Sequence, residues 1–311
     1  FKVQVSREFK EEMEKTELDT VIFLLRRHLG SLNEIGLLLG DEKVSPDYEL
    51  VENNLGLPIR WGSRVIRQVR KELHNFESLT SERCMDITRA GVIFAPDNYL
   101  FWNTRRRELA NTRDTKKLED EMQFLDTLTS LHPKREGLWI QRYWILRREV
   151  DHIDDEDIFR RILSRETQIC TRAASLYRRN YYAWTHRLRV AKMAGSSREN
   201  FINNELTSLI SFVKRNMSDY SAWNHRLQIL VMNPTTSLIY AEYDLLNDLM
   251  KEYPTHESMW YHRRNLFDLF CSTITTKIQN RVHIEINFCN TLTMKTHHQQ
   301  DYLLFLHKRK H

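Results

Sequence analysis

The side chains of this chain that could do chemistry recur at a near-constant interval. Trp102, Trp139, Trp184, Trp223 and Trp260 are each followed three residues later by an arginine: Arg105, Arg142, Arg187, Arg226 and Arg263. His186, His225 and His262 lie two residues after their tryptophans. An imidazole can ligate a metal or carry a proton, and a guanidinium can clamp a carboxylate. The tryptophans are 37, 45, 39 and 37 residues apart, so these histidines fall in different structural units. Spread in this way, they suit packing or an interface better than convergence on a metal. Cys84, Cys170, Cys271 and Cys289 form no C-x-x-C pair, which gives neither a zinc site nor a secreted disulfide framework. No Gly-rich, phosphate-cradling loop is present either.

A period longer than one helix means a repeat array, in which each unit buries its apolar face only against its neighbours. The expected fold is all-α, an α–α solenoid of helical hairpins. With only 8 Gly and 6 Pro in 311 residues, breakers are scarce enough for helix throughout. In each unit a first helix ends in a short polar link, and a second begins just before the Trp. Pro96, Pro133 and Pro254 end first helices. Asn98, Asn180 and Asp219, four residues before their tryptophans, are N-caps. Trp and Arg at i and i+3 share a face. The indole fills the gap between units, and the half-buried guanidinium must meet a helix-end carbonyl or a carboxylate of the neighbouring unit. These ten residues are therefore read as structural. The longest interval, Trp139 to Trp184, places an extra turn or loop in the acidic stretch Asp151–Asp157.

The array runs over residues 80–270 as five repeats. Residues 1–79 form a leader, with one or two helices over about 6–29, an irregular Gly- and Pro-bearing stretch over about 31–62, and a helix over about 63–76. Residues 271–311 lose the pattern and read as a partly disordered capping segment ending in Lys308-Arg309-Lys310. Net charge is only +5, and a regular Trp–Arg pair is no base-reading code, so nucleic acid is not an expected partner. No apolar run approaches the roughly 18 residues of a membrane span. No secretory signal opens the chain, and a cytoplasmic location is expected.

The form N-Y-x-x-W-x-x-R at the start of the second helix resembles the repeat of protein prenyltransferase α subunits. Asn180-Tyr181-Tyr182-Ala183-Trp184-Thr185-His186-Arg187 is the nearest match, and Asp219-Tyr220-Ser221-Ala222-Trp223-Asn224-His225-Arg226 follows it. Asn98-Tyr99-Leu100-Phe101-Trp102-Asn103-Thr104-Arg105 keeps all four defining residues. The second and fifth units carry Glu136 and Glu257 in place of Tyr. Asn33-Glu34-Ile35-Gly36-Leu37, Ser45-Pro46 and Leu50-Val51-Glu52-Asn53-Asn54-Leu55-Gly56 look like the leader of the type III geranylgeranyltransferase branch of that family.

The resemblance implies an α subunit that wraps around a β subunit and is inactive alone. The β subunit would hold the catalytic zinc and most contacts to geranylgeranyl diphosphate, leaving no cofactor in this chain. It further implies the Rab geranylgeranyltransferase β subunit as partner. The acceptor would be a protein with a C-terminal cysteine, such as a trafficking SNARE already carrying a farnesyl group. Lys134 falls on the family position whose Lys reaches the isoprenoid diphosphate, where a cation would stabilise charge on the leaving group. Asn180, Tyr181 and Tyr182 fall on a link that in the family faces the β subunit. The alternative is a non-catalytic helical-repeat scaffold for protein interactions.

Overall fold

A computed structural model describes residues 16–40, 48–112, 114–151, 153, 155–194, 198–274 and 277–309. The chain divides into two compact units, residues 1–162 and 163–311. Each consists mainly of helical hairpins, the all-α class expected from the period.

The first unit opens with α1 (Glu17–His28), capped by Thr16, whose side chain accepts the Asp19 amide. The earlier part of the helix expected over 6–29 lies outside the described residues. The stretch read as irregular holds a small sheet of β1 (Glu34–Leu38), β2 (Glu49–Val51) and β3 (Asn54–Pro58), in the order β1-β3-β2. β1 pairs parallel to β3, and β2 pairs antiparallel to β3. The strands are too short for alternation to declare itself. The β2–β3 turn is made by Glu52 and Asn53, both at positive φ (48° and 64°), as a two-residue hairpin requires. Ile35, Leu55, Leu57 and Pro58 are the buried residues of the sheet.

Helix α2 (Gly62–His74) presents Val65, Val69 and Leu73 to the core. The hairpins follow: α3 (Ser81–Phe94) with α4 (Tyr99–Ala110), then α5 (Thr115–Leu131) with α6 (Glu136–Val150). α4 packs on both α3 and α6, so the hairpins stack. The boundary between the units falls inside α7 (Glu156–Leu176). The long Trp139–Trp184 interval comes mainly from longer helices and not from an extra turn or loop at Asp151–Asp157. The break between α6 and α7 is short, and the added residues lengthen the helices: α7 has 21 residues where α5 has 17.

The second unit continues with α8 (Tyr181–Met193), α9 (Arg198–Ser208), α10 (Ile210–Arg215), α11 (Tyr220–Met232), α12 (Thr236–Glu252) and α13 (Glu257–Thr273). α11 packs on α8 and α13, so the hairpins of this unit stack as well. The C-terminal segment is more ordered than its sequence implied. α14 (Ile278–Thr291) and α15 (His297–His307) form a further hairpin, and α15 packs on α13. α15 opens with a reciprocal capping box between Thr296 and Gln299. Its Tyr302 and Leu306 are fully buried, which an apolar pattern interrupted by His and Gln does not announce.

Candidate functional site

The five Trp–Arg pairs lie at the heart of the hairpins. Trp102, Trp139, Trp184, Trp223 and Trp260 are each at most 4% exposed, and their arginines at most 2%. Four indoles donate Nε1–H to the carbonyl six residues back: Trp102 to Pro96, Trp139 to Pro133, Trp223 to Met217 and Trp260 to Pro254, at 2.7–2.8 Å. Trp184 is the exception, its buried Nε1–H making no such bond. Its link is also built differently, with Arg179 at φ 57°. Between hairpins, Trp184 lies 5.3 Å from the His225 ring and Trp223 lies 5.0 Å from His262. The indole fills the inter-hairpin gap as its repetition implied.

Arg105, Arg187, Arg226 and Arg263 meet carboxylates of the following hairpin. Arg105 donates Nε–H to Glu121 at 2.8 Å, and Arg226 does the same to Glu242. Arg187 reaches Glu205 through Nη2 at 2.9 Å and also through Nε. Arg263 reaches Glu285 through Nε at 2.6 Å. The remaining guanidinium nitrogen turns to the first helix of its own hairpin: Arg187 to the Thr167 carbonyl at 2.9 Å, Arg226 to that of Leu206 at 2.6 Å. Arg142 likewise donates to Asp126 at 2.5 Å.

Each carboxylate is shared. The side chain two residues after the next Trp returns to it: Gln141 to Glu121 at 3.2 Å, His225 to Glu205 at 2.7 Å and His262 to Glu242 at 2.8 Å. His186 makes the matching bond to Glu166 at 2.8 Å. Since a carboxylate only accepts, the histidine Nε2 must carry the proton. The repeated histidines are thus packing residues of a buried network. At the last rung Tyr302 donates its hydroxyl to Glu285 at 2.8 Å, and Arg281 also engages that carboxylate.

The electrostatics follow from this sharing. Burial alone would raise the Glu205 pKa, but the bonds from His225 and Arg187 and the Arg187 charge hold it at about 2. Glu242 is likewise held at about 2 against its own burial by Arg226 and His262. Burial pushes the His225 pKa down, outweighing its bond to Glu205. Hydrogen-bonded pairing is what makes such buried charge tolerable.

Sequence reasoning named the arginines but missed their acceptors. A signal exists in hindsight. Glu121, Glu205 and Glu242 each sit on an apolar helix stripe, with a hydrophobic residue three before, one after and four after: Leu118, Met122 and Leu125; Ile202, Leu206 and Leu209; Ile239, Tyr243 and Leu246. A carboxylate on such a stripe needs a buried cation.

Each link between paired helices carries exposed residues, among them Asp97, Lys134, Arg179, Ser218 and Thr255. As expected, Asn98 accepts the Leu100 amide, Asn180 that of Ala183, and Asp219 those of Ser221 and Ala222. The second link departs from this pattern. Arg135 occupies the N-cap position of α6 without capping it and donates Nη1–H to Asp97 at 2.9 Å instead. Lys134, in the turn just before, is exposed. Among the described residues it forms no ion pair. Asn180 is buried and caps α8. Tyr181 is 65% exposed and meets Tyr182 edge to face at 5.5 Å. Lys134 belongs to the first compact unit, and Asn180, Tyr181 and Tyr182 belong to the second. Neighbouring links also tie to one another in the second unit, where Ser218 and His256 share a hydrogen bond at 2.9 Å.

Among the described residues no group of three or more His, Cys, Asp or Glu is placed to hold a metal ion. Nor is any helix long and apolar enough to cross a membrane.

Comparison with known proteins agrees with this architecture. The model of the protein prenyltransferase alpha subunit repeat matches residues 118–149, 163–194, 202–232 and 239–270. Each match spans one hairpin, and the hairpin carrying Trp102 lies outside them. Protein prenyltransferase alpha subunit repeat-containing protein 1 of Danio rerio is 26% identical, over 77% of this chain and 68% of the relative. Its Homo sapiens counterpart is 25% identical over 76% and 73%. The geranylgeranyl transferase type-2 subunit alpha of Rattus norvegicus is 25% identical over 59% of this chain and 33% of its own length. Among solved structures, the Candida albicans protein geranylgeranyltransferase-I complexed with GGPP shares the fold, with a TM-score of 0.58 at 18% identity over 88% of this chain and 82% of that one. By its hairpins, its buried Trp–Arg pairs and these matches, the chain carries four repeats of the protein prenyltransferase alpha subunit type between residues 118 and 270.

Proposed function

We propose that this chain is the α subunit of a heterodimeric protein geranylgeranyltransferase of the type III kind. It would support transfer of a geranylgeranyl group from its diphosphate to a C-terminal cysteine of an acceptor such as a trafficking SNARE. The observation that carries the reading is the family match across four hairpins. The partner is the Rab geranylgeranyltransferase β subunit, which would hold the catalytic zinc and the isoprenoid pocket. The zinc ion would supply a thiolate on the acceptor cysteine. As its sulfur bonds to the isoprenoid carbon, the bond from that carbon to the diphosphate breaks and negative charge builds on the leaving group. Lys134, which is exposed and forms no ion pair among the described residues, would meet that charge. Tyr181 and Tyr182 would contact the β subunit, with Asn180 capping the helix that carries them.

The test is co-expression with the Rab geranylgeranyltransferase β subunit, followed by size exclusion and a transfer assay. A one-to-one complex is expected, and Lys134→Ala should keep the complex while slowing transfer about 10²-fold, the scale of losing one charge-stabilising group. If the folded, helical chain forms no complex, the reading fails in favour of a non-catalytic interaction scaffold.

A further inference from the structure

We propose that Arg135 and Glu136 are positioning residues for Lys134, which they hold by fastening the second link to the first hairpin. The inference rests on the reading of Lys134 given above. Three links stabilise themselves locally, each with an Asn or Asp side chain that caps its own helix. At the start of α6 that local device is missing, because Arg135 makes no cap bond.

Three consecutive residues after Lys134 make up for it by contacting the preceding hairpin. Arg135 donates to Asp97 at 2.9 Å. Glu136 accepts the Tyr99 hydroxyl at 3.5 Å, a long bond at the limit of the geometry. Gly137 seats directly on the Trp102 indole, where a Cβ would lie 2.7 Å from Cδ1. Trp102 is itself fixed by burial and by its bond to the Pro96 carbonyl. Asp97 immediately follows Pro96, so indole, link and ion pair form one connected framework. Lys134 is bonded to the first of these three anchors, so the frame of its backbone is set from the neighbouring hairpin.

The arrangement also separates charge. Asp97 occupies the Arg135 guanidinium, leaving the Lys134 ammonium as the uncommitted cation of this turn. Because Arg135 and Asp97 are 52% and 65% exposed, salt weakens their pair.

The experiment uses the heterodimer with the β subunit and compares Asp97→Ala, Arg135→Asn, the charge-exchanged pair Asp97→Arg/Arg135→Glu, in which Glu is a poor N-cap, and Lys134→Ala. Two quantities are read: kcat and KM for geranylgeranyl diphosphate, and amide hydrogen exchange over residues 134–138. Asp97→Ala should lower kcat several-fold at unchanged KM and speed exchange. The charge-exchanged pair should restore both, and Arg135→Asn should retain both by supplying the missing cap. A merely structural role would move stability without this split and rescue. If Lys134→Ala lowers kcat but Asp97→Ala changes neither quantity, or if the exchanged pair is no better than Asp97→Ala, the positioning role is overturned. If Lys134→Ala itself leaves kcat unchanged, the reading of Lys134 fails, and with it the positioning role; recovery of amide protection in the exchanged pair would then mark the fastening as structural only.

Discussion

Replacing Glu205 by Gln removes one charge from the middle of the buried network, and its cost can be worked out in two ways. Glu205 is 5% exposed and accepts from Arg187 Nη2 at 2.9 Å and from His225 at 2.7 Å. The amide keeps the shape but turns an NH2 toward donors and leaves the Arg187 charge unbalanced. Breaking one side of a buried pair costs about 3–5 kcal/mol. Independently, holding Glu205 at about 2 against its ordinary 4.5 corresponds to about 3 kcal/mol of folded-state stabilisation. The two estimates agree. Arg187→Met/Glu205→Met should be less destabilised than either single change, since apolar replacement of a buried pair is often near neutral. Its residual cost is the His225 N–H left without an acceptor, about 1–3 kcal/mol. Urea unfolding followed by far-UV circular dichroism measures Glu205→Gln, the two single methionine variants and the double. A Glu205→Gln cost below about 1 kcal/mol, or a double variant that equals the sum of the singles, would refute the reasoning.

Acid should destabilise the fold in two stages, read as denaturation midpoints across pH. Between the lowered His225 pKa and its ordinary 6.5, the unfolded chain binds more protons, so stability falls as pH drops below about 6.5. Glu205 and Glu242, held at about 2, contribute stability that is complete above about pH 4.5 and is lost as pH falls toward 2. A midpoint flat from pH 7 to 3 would contradict both signs. Gly137→Ala should destabilise by about 1–3 kcal/mol through overpacking against Trp102, outweighing the roughly 1 kcal/mol that Ala gains in helix propensity. A raised melting temperature would show that the indole yields. Trp184→Phe should cost about 1 kcal/mol less than Trp260→Phe, because only the Trp260 indole surrenders a hydrogen bond. Equal losses in urea unfolding would indicate that the Trp184 N–H is satisfied after all.

Much of the fold was legible because it is repeated. Five tryptophans in register announce hairpins, and the caps at Asn98, Asn180 and Asp219 follow from residue type and position alone. The need for a buried partner at each Arg was also deducible. The partner's identity was not, because Glu121, Glu205 and Glu285 lie at different distances along the chain from Arg105, Arg187 and Arg263. The sheet escaped notice for a different reason. β1 and β3 pair directly and in parallel although β2 lies between them in sequence, and three to five residues give no usable alternation. In the second link, Lys134 was visible only through family likeness. The replacement of its cap by the Arg135–Asp97 pair depends on two residues 38 positions apart, which only stacking brings together.

The shared carboxylates make the seams between hairpins chemically alike. Glu205 and Glu242 each receive an arginine from the hairpin before and a histidine from their own. A cut at one seam therefore exposes the same complement as a cut at the other. If the segment from Glu205 up to Glu242 were excised, Arg187 would face Glu242 and find the acceptor it had lost. The chain can in this sense be lengthened or shortened by whole hairpins while its interior charge stays balanced, whereas a cut within a hairpin strands an arginine. The rung at Glu285 closes the series by other means, with a tyrosine and a second arginine where the histidine would stand. The alphabet of interchangeable seams thus has a terminal character of its own.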